Sequence, residues 1–257
     1  MTFRDLDIVT VDFETFFSKN YSLRLKKYNT SEYVRDGQFK AQCVAIKIND
    51  TPVRWYRDRN VSGALAAINW NTSALLAHNC AFDGLILSHH YGIRPKYYLD
   101  TLSMARAIHS NSIRAGLDSV STFYKIGNKL KNVLDQTKGV RDLDDELMSA
   151  LGQYCAVDTE LCKAIFERMR VGFPDGEFDL IDLTLRMFCE PKALVDMRLA
   201  KEALDEEIEE RRIAIEAVNV RESEVARQLL ESAAQKGKTV SDLEKKVLGG
   251  NETFAAL

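Results

Sequence analysis

The stretch Asp7-Ile8-Val9-Thr10-Val11-Asp12-Phe13-Glu14-Thr15 combines β-branched and apolar residues with two acids one residue apart. β-Branched runs favour strands. Side chains alternate along a strand, so Asp12 and Glu14 share one face roughly 7 Å apart, while Val9, Val11 and Phe13 share the other. Asp-x-Glu alone says little, because it begins at residues 12, 144, 158, 175, 205 and 242. Charged helices and loops account for most of those. The first copy stands out by its strand context, although a solvated acidic face on an edge strand would give the same pattern.

Two further fragments occur once each. Asn79-Cys80-Ala81-Phe82-Asp83 follows the apolar run Ser73–His78 and precedes Gly84–His89, which read as strand and helix. Asp83 then lies near a strand-to-helix junction, where a helix N-terminal carboxylate is also favoured by the macrodipole. The other is Tyr154-Cys155-Ala156-Val157-Asp158. Apolar residues at 143, 147, 151, 154, 157, 161, 165 and 169 keep a helical period. Tyr154 and Asp158 are one turn apart, so both can address one volume; an ordinary helix aromatic with a polar neighbour is the bland alternative. Carboxylates that converge need cations between them, and oxygen-only donors suit Mg²⁺ or Mn²⁺. Two such ions about 4 Å apart are an established apparatus for phosphodiester hydrolysis.

In this order, the three fragments resemble the exonuclease motifs of the DEDD superfamily, the DnaQ-like 3′–5′ exonucleases, over roughly residues 5 to 170. Gln153 stands where the histidine subclass has its histidine, and Tyr154 matches the tyrosine subclass. The resemblance implies an α/β, ribonuclease H-like mixed sheet of five strands with helices on both faces. It implies that Asp12, Glu14, Asp83 and Asp158 ligate two Mg²⁺ or Mn²⁺ ions, with Asp12 bridging. Tyr154 would orient the attacking water, and Phe13, Thr15, Asn79 and Phe82 would sit beside the terminal nucleotide.

The remainder of the chain frames this reading. Its 257 residues are 46% hydrophobic, enough for a core, and no run approaches a membrane span. No signal-peptide pattern opens the sequence, so a cytoplasmic location is expected, the host's if the chain is phage-encoded. The five cysteines form no Cys-x-x-Cys pair and read as reduced, mostly buried thiols. A net charge of −3 argues against indiscriminate nucleic-acid binding. Local basic groups (Arg24, Lys26 and Lys27; Lys125, Lys129, Lys131, Lys138 and Arg141) either guide a strand inward or are solvated loops. Strands are expected over 42–48 and 52–56, with Asp100 or Thr101 capping a helix over 102–109.

Gly172-Phe173-Pro174-Asp175-Gly176 breaks the helical pattern and sets a boundary, giving a nuclease domain over 1–172 and a helical extension over 173–257. Leu204, Ile208, Ile215, Val218, Val225 and Leu229 form an apolar stripe in that extension. Met187–Asp196 followed by a long helix resembles the segment joining exonuclease to polymerase in family A DNA polymerases, and Asp12–Ser18 with Glu32–Asp36 looks like the bacteriophage versions. The resemblance implies a proofreading-type exonuclease acting on a single-stranded or frayed DNA 3′ end. Its partner would be a polymerase domain or subunit. An RNase D-like exoribonuclease and a polymerase-associated binding module are the alternatives.

Overall fold

A computed structural model describes residues 3–23, 28–110, 112–130 and 132–217. Strand β1 (Asp7–Thr15) is the centre of a five-stranded sheet in the order β3-β2-β1-β4-β5. It pairs antiparallel with β2 (Ala41–Ile48), which pairs antiparallel with β3 (Arg54–Arg57). On its other side β1 runs parallel to β4 (Ser73–Ala77), which is parallel to β5 (Tyr97–Asp100). Every residue of β4 is buried, as expected of a strand covered on both faces. The chain therefore has the mixed α/β sheet that the motifs imply.

Pairing between β1 and β4 stops at Thr10–Leu76, whereas β1 continues to Thr15. Asp12, Phe13 and Glu14 thus project past the end of β4, still held by β2 opposite Ala45, Val44 and Cys43. This is a crevice beyond a strand end where the connection changes sense, the position at which open α/β sheets build their sites.

Helices flank the sheet: α1 (Thr30–Arg35), α2 (Asp58–Ala66), α3 (Cys80–Tyr91), α4 (Thr101–His109), α5 (Leu117–Phe123) and α6 (Val133–Thr137). The long helix α7 (Asp145–Met169) packs on β1, β2 and β3. Its interior Gly152 has a physical reason: a Cβ there would collide with the Trp55 ring of β3. Glycine costs about 1 kcal/mol in a helix interior, and here it lets the helix lie against the sheet two residues before Tyr154. On the opposite face α3 carries Tyr91, which stacks on Phe13 at 6.0 Å.

The break at 172–176 is a corner leading into α8 (Asp175–Cys189). Phe178, Ile181 and Leu185 of α8 are buried. Tyr97 donates its hydroxyl hydrogen to Asp179 and the Tyr98 N–H goes to Asp182. The chain divides into two units, Met1–Lys192 and Ala193–Leu257, so α8 packs with the sheet, beyond the boundary that the sequence suggests at 172. A glycine–proline break marks a change of direction, and only packing tells whether the next helix leaves the core. In the second unit, α9 (Met197–Ala217) carries Leu204 and Ile208 one turn apart. Ile215, Val218, Val225 and Leu229 lie outside the residues whose side chains are described. No helix among the described residues is long and apolar enough to cross a membrane. All five cysteines are free and buried.

Candidate active site

Asp12 and Glu14 share one face of β1, and that face looks onto α7. One oxygen each from Asp12, Glu14 and Asp158 lie within 4.8 Å of one another. Asp83 sits in the first turn of α3 and is 3% exposed. Its Oδ1 accepts the Phe13 N–H at 3.0 Å, a donor beyond the last β4 pairing. Asp83 lies outside the tight trio but close enough to be pushed by Asp12. Tyr154 is one turn before Asp158 on α7 and is buried. The elements thus bring all five sequence-predicted acids and tyrosine to one end of β1.

The electrostatics are those of a pocket short of positive charge. Burial and then the neighbouring Asp158 push the Asp12 carboxyl up to about 7. Burial and Asp12 likewise raise Glu14 and Asp83, the latter despite its hydrogen bond from Phe13. Asp158 is raised by burial, with Lys129 and Tyr154 acting in the opposite direction. Lys129 Nζ lies 2.5 Å from Asp158 Oδ2 and 5.1 Å from the centre of the Tyr154 ring. Burial works against this ammonium, yet Asp158 and Tyr154 hold its pKa above the ordinary lysine range. Tyr154 is pushed up to about 12, first by burial and then by Asp158.

Asp12 Oδ2 and Asp158 Oδ1 are buried and have no hydrogen-bond partner. Most buried polar atoms are paired, and an orphan demands a reason. An all-oxygen donor set with converging orphan carboxylate atoms and raised pKa values fits a hard divalent cation. No histidine or cysteine belongs to this trio, which excludes the donor chemistry typical of structural zinc.

Beside the acids lies a cleft of about 460 Å³. Phe13, Glu14, Thr15, Phe17, Tyr33 and Phe82 are among its lining residues, with Leu134 and Asp135 of α6 and Lys138 just after that helix. Phe13, Thr15 and Phe82, expected beside a terminal nucleotide, all border this cleft. Asn79 is not among the lining residues; it caps α3 with φ 72° and donates its N–H to Asp100. Phe16 is core, stacked on Tyr21 at 6.1 Å. The Tyr33 hydroxyl donates to Phe16 O at 2.6 Å and lies 2.9 Å from Thr15 Oγ1, so α1 braces the end of β1. No sequence spacing points to this brace, and in the sequence Lys129 is only one member of a basic group. A loop lysine carries no spacing signal toward an acid on a later helix. Arg24, Lys26, Lys27 and Lys131 lie outside the described residues.

No protein-family model matches the chain, and no curated protein does so by sequence. Solved structures do resemble it. Trypanosoma brucei RNase D in complex with RNA U12 aligns over 76% of this chain and 67% of its own, at 16% identity and a TM-score of 0.53. Escherichia coli RNase D, an exoribonuclease involved in structured RNA processing, aligns over 96% of this chain and 60% of its own, at 15% identity and 0.52. An apo nuclease structure aligns over 72% and 83%, at 16% and 0.51. The chain shares the fold of these nucleases.

Proposed function

We propose that this chain is a metal-dependent 3′–5′ exonuclease of the tyrosine-type DEDD class. The observation that carries the reading is the pair of orphaned buried oxygens, Asp12 Oδ2 and Asp158 Oδ1, in an acidic pocket at the end of β1. Asp12, Glu14, Asp83 and Asp158 would hold two Mg²⁺ or Mn²⁺ ions. Bound ions of this kind lower the pKa of water and neutralise charge developing on phosphate.

The remaining work falls to the protein. Tyr154, whose pKa lies near 12, keeps its proton at neutral pH and orients the attacking water as a hydrogen-bonding group. Phe17 and Phe82, both partly exposed, offer apolar surface to the terminal base, an interaction that tolerates any sequence, whereas Phe13 is 4% exposed and packs on Tyr91. Thr15, committed to Tyr33, shapes the cleft floor, and Glu14 stands between cleft and acids.

DNA is the proposed substrate, in a proofreading role, because residues 187–196 and the following helix resemble the exonuclease–polymerase junction of family A polymerases. On this reading the residues beyond Lys192 begin a polymerase domain or dock one. The likeness of fold to two RNase D structures, one holding RNA U12, supports the second reading, an exoribonuclease. Matched 3′-tailed DNA and RNA oligonucleotides, labelled at the 5′ end, decide between them. Stepwise shortening of DNA that stops with chelator and returns with Mn²⁺ is the expected result. Preferred digestion of RNA would move the chain to the exoribonuclease reading. Tight binding to a polymerase fragment with neither oligonucleotide shortened would leave a binding module.

A further inference from the structure

The loop between α5 and α6 delivers a cation into the acidic site, and its path is fixed by packing. The Ile126 N–H donates to Ser121 O at 3.0 Å, closing a turn in which Lys125 has φ 55°. At Gly127 a Cβ would stand 3.1 Å from Leu161 Cδ2, so the loop backbone lies directly on α7. Two residues later Lys129 reaches Asp158 Oδ2 at 2.5 Å and covers the Tyr154 ring. The Lys129 side chain is 25% exposed and that of Asp158 only 5%. Lysine is normally left in water, because burying its charge and ordering its long stem are both costly. Here it is the cation in contact with the acids among the described residues, and it engages one oxygen of Asp158 while the other has no partner.

We propose that Lys129 is an internal counter-ion that exchanges with metal. It holds Asp158 and Tyr154 in place while the divalent ions are away, and it gives up Asp158 when an ion binds. Lysine and metal then compete for one carboxylate, because two cations crowded on the same buried group repel strongly. Lys129 is on this account a positioning residue. The inference rests on the metal-dependent nuclease reading.

The test is a Mn²⁺ titration by calorimetry on the full chain and on Lys129→Met and Lys129→Arg, with melting curves in chelator. Removing the competitor should tighten Mn²⁺ binding about tenfold, the equivalent of one charge-assisted hydrogen bond. Lys129→Met should also melt lower than the parent in chelator, with the gap closing at saturating Mn²⁺, and Lys129→Arg should bind Mn²⁺ as the parent does. Unchanged or weaker Mn²⁺ binding by Lys129→Met overturns the exchange and leaves the nuclease reading standing. A parent chain that binds no Mn²⁺ overturns both. A measurement on the parent alone guards against a misfolded variant. Acylation of Lys129 by an amine-reactive reagent, read by peptide mass spectrometry, should rise severalfold on adding Mn²⁺; constant reactivity overturns the proposal equally.

Discussion

Asp100 and Asp12 are both acids at strand ends with buried oxygen atoms, and their surroundings could hardly differ more. Asp100 closes β5 and is 4% exposed. Its Oδ1 accepts the N–H groups of Asn79, Cys80 and Leu102, and its Oδ2 accepts the N–H and hydroxyl of Ser103. One carboxylate thereby ties the end of β5 to the starts of α3 and α4, satisfying helix donors that have no partner of their own. Asp12 Oδ2 has no donor at all, and its neighbours are Glu14 and Asp158. Burial of an acid therefore does not by itself mark a functional group. The distinguishing question is whether the fold supplies donors or more negative charge. Where it supplies donors, the acid is architecture; where it supplies other acids and a single lysine, the rest of the compensating charge must come from outside.

Swapping each acid for its amide tests the contrast, and gives the largest expected effects. Asp12→Asn should lower oligonucleotide digestion on the order of a thousandfold, because several kcal/mol of charge stabilisation depend on the cluster and each 1.36 kcal/mol is tenfold in rate. Its melting temperature in chelator should equal or exceed that of the parent, since a repelling charge has gone. Asp100→Asn should do the reverse. An amide has one acceptor oxygen and turns two donors toward donors, so a loss on the order of 3 kcal/mol is expected. If Asp12→Asn melts below Asp100→Asn in chelator, the contrast is broken.

The pH dependence sharpens the same comparison. The Asp12 carboxyl rises from 3.8 to about 7 in the folded chain, and Glu14, Asp83 and Asp158 move in the same direction. A raised carboxyl binds its proton more tightly folded than unfolded, so its contribution is fully present below about pH 4 and is lost as pH climbs through about 7. Metal-free protein should consequently melt at lower temperature at pH 8 than at pH 5.5. Saturating Mn²⁺ should flatten or reverse that slope, since the ion binds the deprotonated groups. Asp12→Asn should shallow the metal-free slope. A metal-free melting temperature that rises with pH would contradict the picture of carboxyls held in an anion-rich pocket.

Much of this was legible in the sequence, and for definite reasons. The β1 alternation placed Asp12 and Glu14 together, and the one-turn spacing placed Tyr154 with Asp158, because both periods are properties of the backbone alone. Asp100 was readable as a cap from its position before a helix, and the structure adds its second grip on Asn79 and Cys80. What stayed hidden depends on three-dimensional packing. Nothing in the spacing of Lys129 points to Asp158, and Gly152 reads as a weak spot in a helix until Trp55 is laid against it. The glycine–proline break before α8 resembles a domain edge equally well whether or not Phe178 is buried.

Tyr154 lies between the two kinds of acid and gives the smallest of these effects. It belongs to the site, yet it is a neutral donor: with a pKa near 12 it stays protonated through the working range. Removing the hydroxyl in Tyr154→Phe keeps the buried ring and its contact with Lys129, so stability should change by less than about 1 kcal/mol. The hydroxyl's part in orienting water should cost roughly tenfold in rate, about 1.4 kcal/mol. If the group only positions, the shape of the pH–rate profile between pH 6 and 9 should be unaltered in the variant. If it acts as a base, the variant's profile should lose its rise toward high pH, and the role assigned above is wrong. A variant as fast as the parent removes the tyrosine from the mechanism, and leaves the acids to do without it.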